Sequence, residues 1–107
     1  MTKFNLELRL KTFGSVLAKE IFLEDVTDRN KSVQDWENGV EYIFKKLPDY
    51  QITDSSLDVF VGCQGIAGGT VTCEVFINDE KVGQVVSQVV NKFYAHESFP
   101  VKSNLSI

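Results

Sequence analysis

Three side chains in this 107-residue sequence could do covalent or metal chemistry: Cys63, Cys73 and His96, the last being the only histidine. A thiol beside an imidazole makes a nucleophile and base when the fold brings them within hydrogen-bonding reach. Cys63 with His96 is therefore the pair around which a small enzyme or ligand-binding site could form, and it stands as the alternative reading. Cys73 lies on the apolar face of a strand pattern and reads as core. Three such ligands, with no C-x-x-C or H-x-x-x-H pair, fall short of the four that structural zinc takes, so no metal is expected. Two cysteines are also too few for the disulfide framework of a small secreted domain.

A second candidate is "GCQGIAGG", Gly62 to Gly69, which holds four of the seven glycines. A phosphate cradle needs a strand before it and a helix after it, because the helix N-terminus supplies converging N–H donors. Here "TVTCEVFIN" follows, and its pattern is that of a strand. The stretch also lacks the Lys and Ser/Thr of a P-loop and the spacing of G-x-G-x-x-G. It reads as a flexible hairpin connection, and no cofactor is expected.

Composition narrows the partners. The chain carries 11 basic and 15 acidic residues for a formal charge of −4, which argues against a direct nucleic-acid or anionic-membrane binder. Between Glu20 and Glu41 lie seven acids (Glu20, Glu24, Asp25, Asp28, Asp35, Glu37, Glu41) and two bases (Arg29, Lys31). With no carboxylate pair assigned to a cleft, these acids suit an interaction surface better than acid–base catalysis. The expected function is a non-enzymatic protein-binding module of inhibitor, immunity or adaptor type. It would use Asp28, Asp35, Asn38, Glu41 and Tyr42 against a partner with a basic or neutral surface. An exposed edge strand or the C-terminal aromatics (Phe93, Tyr94, Phe99) offer a second route, including a homodimer. "MTKFNLELRLK" interleaves charges with apolar residues, unlike a signal peptide or membrane span, so a cytoplasmic protein is expected.

These residues need elements to position them. Phe4, Leu6, Leu8 and Leu10 alternate with polar residues, as does the stretch after Gly14-Ser15, and Gly-Ser suits a tight type II′ turn. The sequence predicts a hairpin over 4–13 and 16–25, setting Leu6 against Leu23, Leu8 against Ile21 and Arg9 against Glu20. Val33, Trp36, Val40, Ile43, Phe44 and Leu47 fall on one helical stripe, with Ser32 as N-cap and Pro48 as the stop, and Tyr42 lies on the opposite, charged face. Strands follow at Leu57–Val61 and Val71–Ile77, a turn at 78–81, a strand through "VGQVVSQVV" that reads as central or covered on two sides, and a short last strand in the tail around Val101, Leu105 and Ile107.

Hydrophobic content of 43% over this length supports one domain, residues 1–107. The order ββαβββ implies an α+β fold with the helix packed on one face of the sheet. Through about residue 78 it resembles the β-grasp fold of ubiquitin-like and immunoglobulin-binding domains in element order alone. No Gly-Gly tail or cluster-binding cysteine set accompanies the resemblance, so it implies no activity.

Overall fold

Period-two alternation of apolar residues governs nearly the whole chain, and the computed structural model, which describes residues 2–53, 55–66, 68–89 and 94–101, is built of strands accordingly. The strands are β1 (Thr2–Phe13), β2 (Val16–Leu23), β3 (Glu37–Asn38), β4 (Ile43–Ile52), β5 (Ser56–Gly65), β6 (Thr70–Ile77), β7 (Glu80–Gln88) and β8 (Ala95–Pro100). A 3-10 turn at Arg29–Lys31 is the helical element among the described residues. Two antiparallel sheets form: a five-stranded one, ordered β3-β4-β1-β6-β7, and a three-stranded one, ordered β2-β5-β8.

The core is what the two inner faces share. Leu6, Leu8, Leu10, Val71, Cys73, Val75 and Val85 from the larger sheet meet Ile21, Leu23, Leu57, Val59, Val61 and Phe99 from the smaller, all buried. Alternation with outward polar residues is what a sandwich of this kind requires.

The expected α+β, β-grasp-like fold is corrected by this arrangement: among the described residues no helix packs on a sheet. Residues 32–47 form instead an irregular segment, the short β3, a turn at Gly39–Tyr42 and the start of β4. Val33, Trp36, Ile43 and Leu47 do reach the core, as the stripe suggested, but from irregular backbone and from β4, and Phe44 on the same stripe does not. Val40 does not, being 83% exposed. Positive φ at Asp35 (59°) and Glu41 (64°) breaks any helical path between them. Pro48 causes no break because it lies at an irregularity in the β1–β4 ladder, where Leu6 pairs Leu47 and Phe4 pairs Tyr50. There Asn5 Oδ1 accepts from the Asp49 amide at 3.1 Å, and a bulge is where a sheet tolerates proline.

The hairpin over 4–13 and 16–25 is likewise corrected. β1 and β2 are strands, and Gly14 has the positive φ (75°) the turn demanded, but the chain crosses there from one sheet to the other. β1 pairs with β4 and β6, while β2 pairs with β5. Leu6 and Leu8 do share a core with Ile21 and Leu23, across the sandwich rather than side by side. An apolar face meets the same parity rule in a hairpin and in a sandwich, so the pattern alone did not separate them. Arg9 accordingly pairs with Glu7, at 2.6 Å, and Glu20 with Arg29, at 3.2 Å.

The glycine-rich stretch makes a similar crossing. It joins β5 to β6, in different sheets, so it is an arch and not a hairpin. The turn expected at 78–81 narrows to Asn78 and Asp79, both at positive φ (51° and 68°), which close a β6–β7 hairpin while Glu80 and Lys81 belong to β7. The last strand falls at Ala95–Pro100, and Val101 is buried after it. Leu105, Ile107 and Phe93 lie outside the described residues.

Candidate functional site

Register places three connections at one end of the sandwich. Phe13 pairs with Thr70 and Val16 with Gly65, so the Gly14-Ser15 crossing and the β5–β6 arch sit together. Ile43 pairs with Leu10, which carries the Gly39–Tyr42 turn toward the same end. The large side chains on these segments point to solvent: Phe13 is 74% exposed, Leu17 80%, Val40 83% and Ile66 65%. Isolated surface apolar residues are ordinary, whereas several gathered on neighbouring loop tips mark a contact surface.

The two crossings that present Phe13, Leu17 and Ile66 are locked together. The Ile66 amide donates to the Ser15 carbonyl at 3.1 Å, the Gly69 amide to the Ile66 carbonyl at 3.1 Å, and the Val89 amide to the Gly69 carbonyl at 2.9 Å. Glycines permit this approach. A Cβ on Gly65 would lie 2.3 Å from the Ser15 carbonyl oxygen, and one on Gly69 2.6 Å from the same atom. The glycine content is thus a steric requirement of two crossings packed against each other.

Charge is distributed unevenly around this end. Its segments carry Lys19, Glu41 and a Lys11 that is paired with Glu74, with Glu20 and Glu37 just behind them, whereas Asp25, Asp28, Asp49, Asp79 and Glu80 lie toward the other end. Beside the apolar tip, Leu10, Thr12, Lys19, Gly39, Glu41, Tyr42 and Ile43 line a cleft of about 320 Å³.

A second constellation covers the outer face of the three-stranded sheet. His96 stacks on Phe60 with ring centroids 4.3 Å apart and planes 7° from parallel. Its Nε2 lies 3.3 Å from Asp58 Oδ1, and the Ser98 hydroxyl donates to that same oxygen. Ser, His and Asp are therefore adjacent, but both partners converge on the carboxylate. In nucleophilic catalysis the imidazole must stand between acid and hydroxyl, so this arrangement fastens β8 to β5 without activating Ser98. Further along the face, Phe22 is fully buried beneath Tyr94 (5.6 Å, edge-on) and Arg29 (5.3 Å above the ring). The Tyr94 hydroxyl donates to Glu20 at 3.1 Å; burial, then that contact, raises the phenol above its ordinary value.

The outer face of the larger sheet is also satisfied from within. Arg9 is held between Phe76, at 4.3 Å, and Tyr42, at 5.1 Å. Lys81 at 2.7 Å and Lys11 at 3.3 Å bracket Glu74 and hold its carboxyl below the ordinary value, against the opposing effect of burial.

The structure separates the sequence-predicted pair. Cys63 is an inward residue of β5, not a loop thiol, with Sγ 3.6 Å from the Ser87 hydroxyl and 3.7 Å from its carbonyl. His96 faces outward on the other side of the sheet, opposite Phe60. Both cysteines are free and buried, and burial pushes the Cys73 thiol up to about 12. Among the described residues, no group of three or more His, Cys, Asp or Glu converges as metal ligands, and no helix is long and apolar enough to cross a membrane.

The five residues expected on one acidic helix face are spread along the β2–β4 connection. Asp28 caps the 3-10 turn, its carboxylate accepting from the Asn30 amide at 2.9 Å. Asp35 lies in the following loop with its carbonyl 3.4 Å from Lys45 Nζ. Asn38 is in β3, and Glu41 and Tyr42 end the turn beside the apolar tip, where Tyr42 packs on Arg9 and on Phe44, 6.0 Å away. Asp58, Ser98 and the four apolar tip residues carried no distinguishing motif. For the tip, the available signal was placement: Phe13 and Leu17 flank a Gly-Ser turn and Ile66 lies among glycines.

Comparison of the chain with protein-family models, curated proteins and solved structures gives no match.

Proposed function

We propose that this chain is a non-enzymatic, cytoplasmic protein-binding module of inhibitor, immunity or adaptor type, and that its contact surface is the apolar loop end of the sandwich. The observation that carries this reading is the exposure, at 65–83%, of Phe13, Leu17 and Ile66 on two crossings that are hydrogen-bonded to one another and of Val40 on the turn at the same end. Pre-formed loops lose little freedom on docking, and burying each such side chain contributes about 1.5–3 kcal/mol. Lys11 and Lys19 beside the tip suit a partner whose apolar recess has a neutral or mildly acidic rim. That shifts the emphasis away from a partner met through acids alone, since most of the acids lie toward the opposite end.

The test uses the purified full chain as bait, with identification of the captured protein and titration of that protein in isolation. A Phe13→Ser/Leu17→Ser chain, folded by circular dichroism, should bind at least about tenfold more weakly, since each 1.4 kcal/mol lost is a factor of ten. An Asp28→Lys chain, altered at the other end, should bind as wild type does. Unchanged affinity in the first variant, or capture by anionic lipid vesicles in place of a protein, would refute the reading.

A further inference from the structure

A sandwich has four strand edges, and each presents backbone N–H and C=O groups that can pair with another chain unless something blunts it. Three of the four are blunted here. β3 covers only Ile43 and Phe44 of β4, and the rest of that edge carries Lys45, Lys46 and Pro48 at the ladder's irregularity. β2 is met by the segment after the 3-10 turn, through the Phe22–Ser32 bridge and the Val33 amide donating to the Ile21 carbonyl at 2.9 Å. β8 has six residues and ends in Pro100. The fourth edge, β7, is nine residues long and has no proline. Among the described residues no strand pairs with its far side.

Its composition belongs to a strand with neighbours on both sides. "VGQVVSQ", Val82 to Gln88, carries no charge. Val85 is buried against the opposite sheet, yet Val82 and Val86 remain 41% and 44% exposed. The inner side is already filled, since the Phe99 ring lies where a Cβ on Gly83 would come within 2.6 Å. Among the described residues, what remains open is the backbone edge and the outer surface beside it.

We propose that β7 is a self-association edge: two copies of this chain pair their β7 strands antiparallel about a two-fold axis at Val85, joining two five-stranded sheets into one. The choice of a second copy rests on self-complementarity. A two-fold normal to the sheet keeps faces matched, so Gln84 of each copy opposes Val86 of the other on the outer face. Gly83 opposes Ser87 on the inner face, and Val85 meets its own counterpart. No like charges are opposed, which matters for a chain with a net charge of −4. With the axis at Val85 the ladder runs from Val82 to Gln88, spans about 24 Å and is a small interface, so the dimer is weak and concentration-dependent. The apolar loop tip stays free in it.

The experiment is sedimentation equilibrium of the full chain over a range of concentrations, with three variants checked for folding by circular dichroism. Gln84→Lys/Val86→Lys places each new lysine opposite one from the other copy, and like charges directly opposed destabilise a ladder. The dimer constant should weaken at least tenfold. Gln84→Lys/Val86→Glu opposes lysine with glutamate in the same positions and should restore association to wild-type strength or better. Phe13→Ser/Leu17→Ser should dimerise as wild type does, whatever its effect on a protein partner. A wild-type chain that stays monomeric, including one whose β7 proves to bind a different protein, overturns the proposal. So does dimerisation of the lysine pair at wild-type strength, or loss of the dimer in the loop-tip variant.

Discussion

Adding one methyl group at Gly65 should unfasten the two crossings at the loop end. The new Cβ would lie 2.3 Å from the Ser15 carbonyl oxygen, 3.0 Å from the Val16 Cα and 3.1 Å from the Leu17 amide nitrogen. All three are backbone atoms, so no side-chain rotation relieves the clash. The backbones must separate by about 1 Å, which breaks the Ile66 amide bond to Ser15 and costs about 1 kcal/mol on that account. Forced backbone displacement adds about 1–3 kcal/mol, and the smaller conformational freedom of alanine in the unfolded chain returns about 0.4–1 kcal/mol. Gly65→Ala should therefore lose about 2–3 kcal/mol, seen as a fall of about 1–2 M in the urea midpoint for a domain of this size. Gly62→Ala is the control. Its Cβ would meet the Tyr94 ring at 2.6 Å, and that ring can swing aside at the loss of its exposed hydrogen bond to Glu20 and its edge contact with Phe22, about 1–2 kcal/mol together. If Gly65→Ala proved no more destabilising than Gly62→Ala, the steric account of the glycine-rich arch would be wrong.

Three further outcomes follow from individual contacts. Burial raises the Cys73 thiol to about 12 and, with the Glu24 charge as a lesser cause, the Tyr50 phenol to about 12; both neutral forms are favoured in the folded chain. Their contribution is complete below the ordinary values of 9.0 and 10.0 and is lost as pH rises toward 12. Stability measured by urea unfolding should thus fall across that window, less steeply in Cys73→Val. Neither cysteine should react with a thiol reagent at neutral pH until the chain unfolds, because both are buried; stoichiometric labelling of the native protein would contradict the placement of Cys63. Asn78→Ala should cost about 1–2 kcal/mol, since Asn78 holds φ 51° and its side chain accepts from the Asn5 amide at 3.0 Å. Asn78→Gly, which keeps the backbone conformation, should recover about half of that in thermal or urea unfolding.

Strand positions were legible because period two is written residue by residue: β1, β5 and β6 fall where Leu6, Val59 and Val75 alternate with polar neighbours. Pairing was not, because Leu8 facing Ile21 satisfies the same parity whether the two strands lie side by side or a core's width apart. Residues 32–47 misled for a related reason. Val33, Trp36, Ile43 and Leu47 are core residues in either conformation, and the helical spacing between them arises from an irregular path whose turn is set by Gly39 and Glu41. The candidate surface was hidden more deeply. Whether Phe13, Leu17 and Ile66 are core or contact depends on which crossings come together, a property of topology and not of local spacing. The glycine run shows both sides of this limit. That it cradles no phosphate follows from the strand after it, a local fact. Why it is rich in glycine depends on Ser15, fifty residues earlier in the chain than Gly65. The same logic runs in reverse for β7. Valines on both its faces suggested a strand with neighbours on either side, and the fold places it at an edge. When local composition and global position disagree in this way, a missing neighbour is the economical explanation, and the proposed pairing of β7 with a second copy of the chain rests on that disagreement.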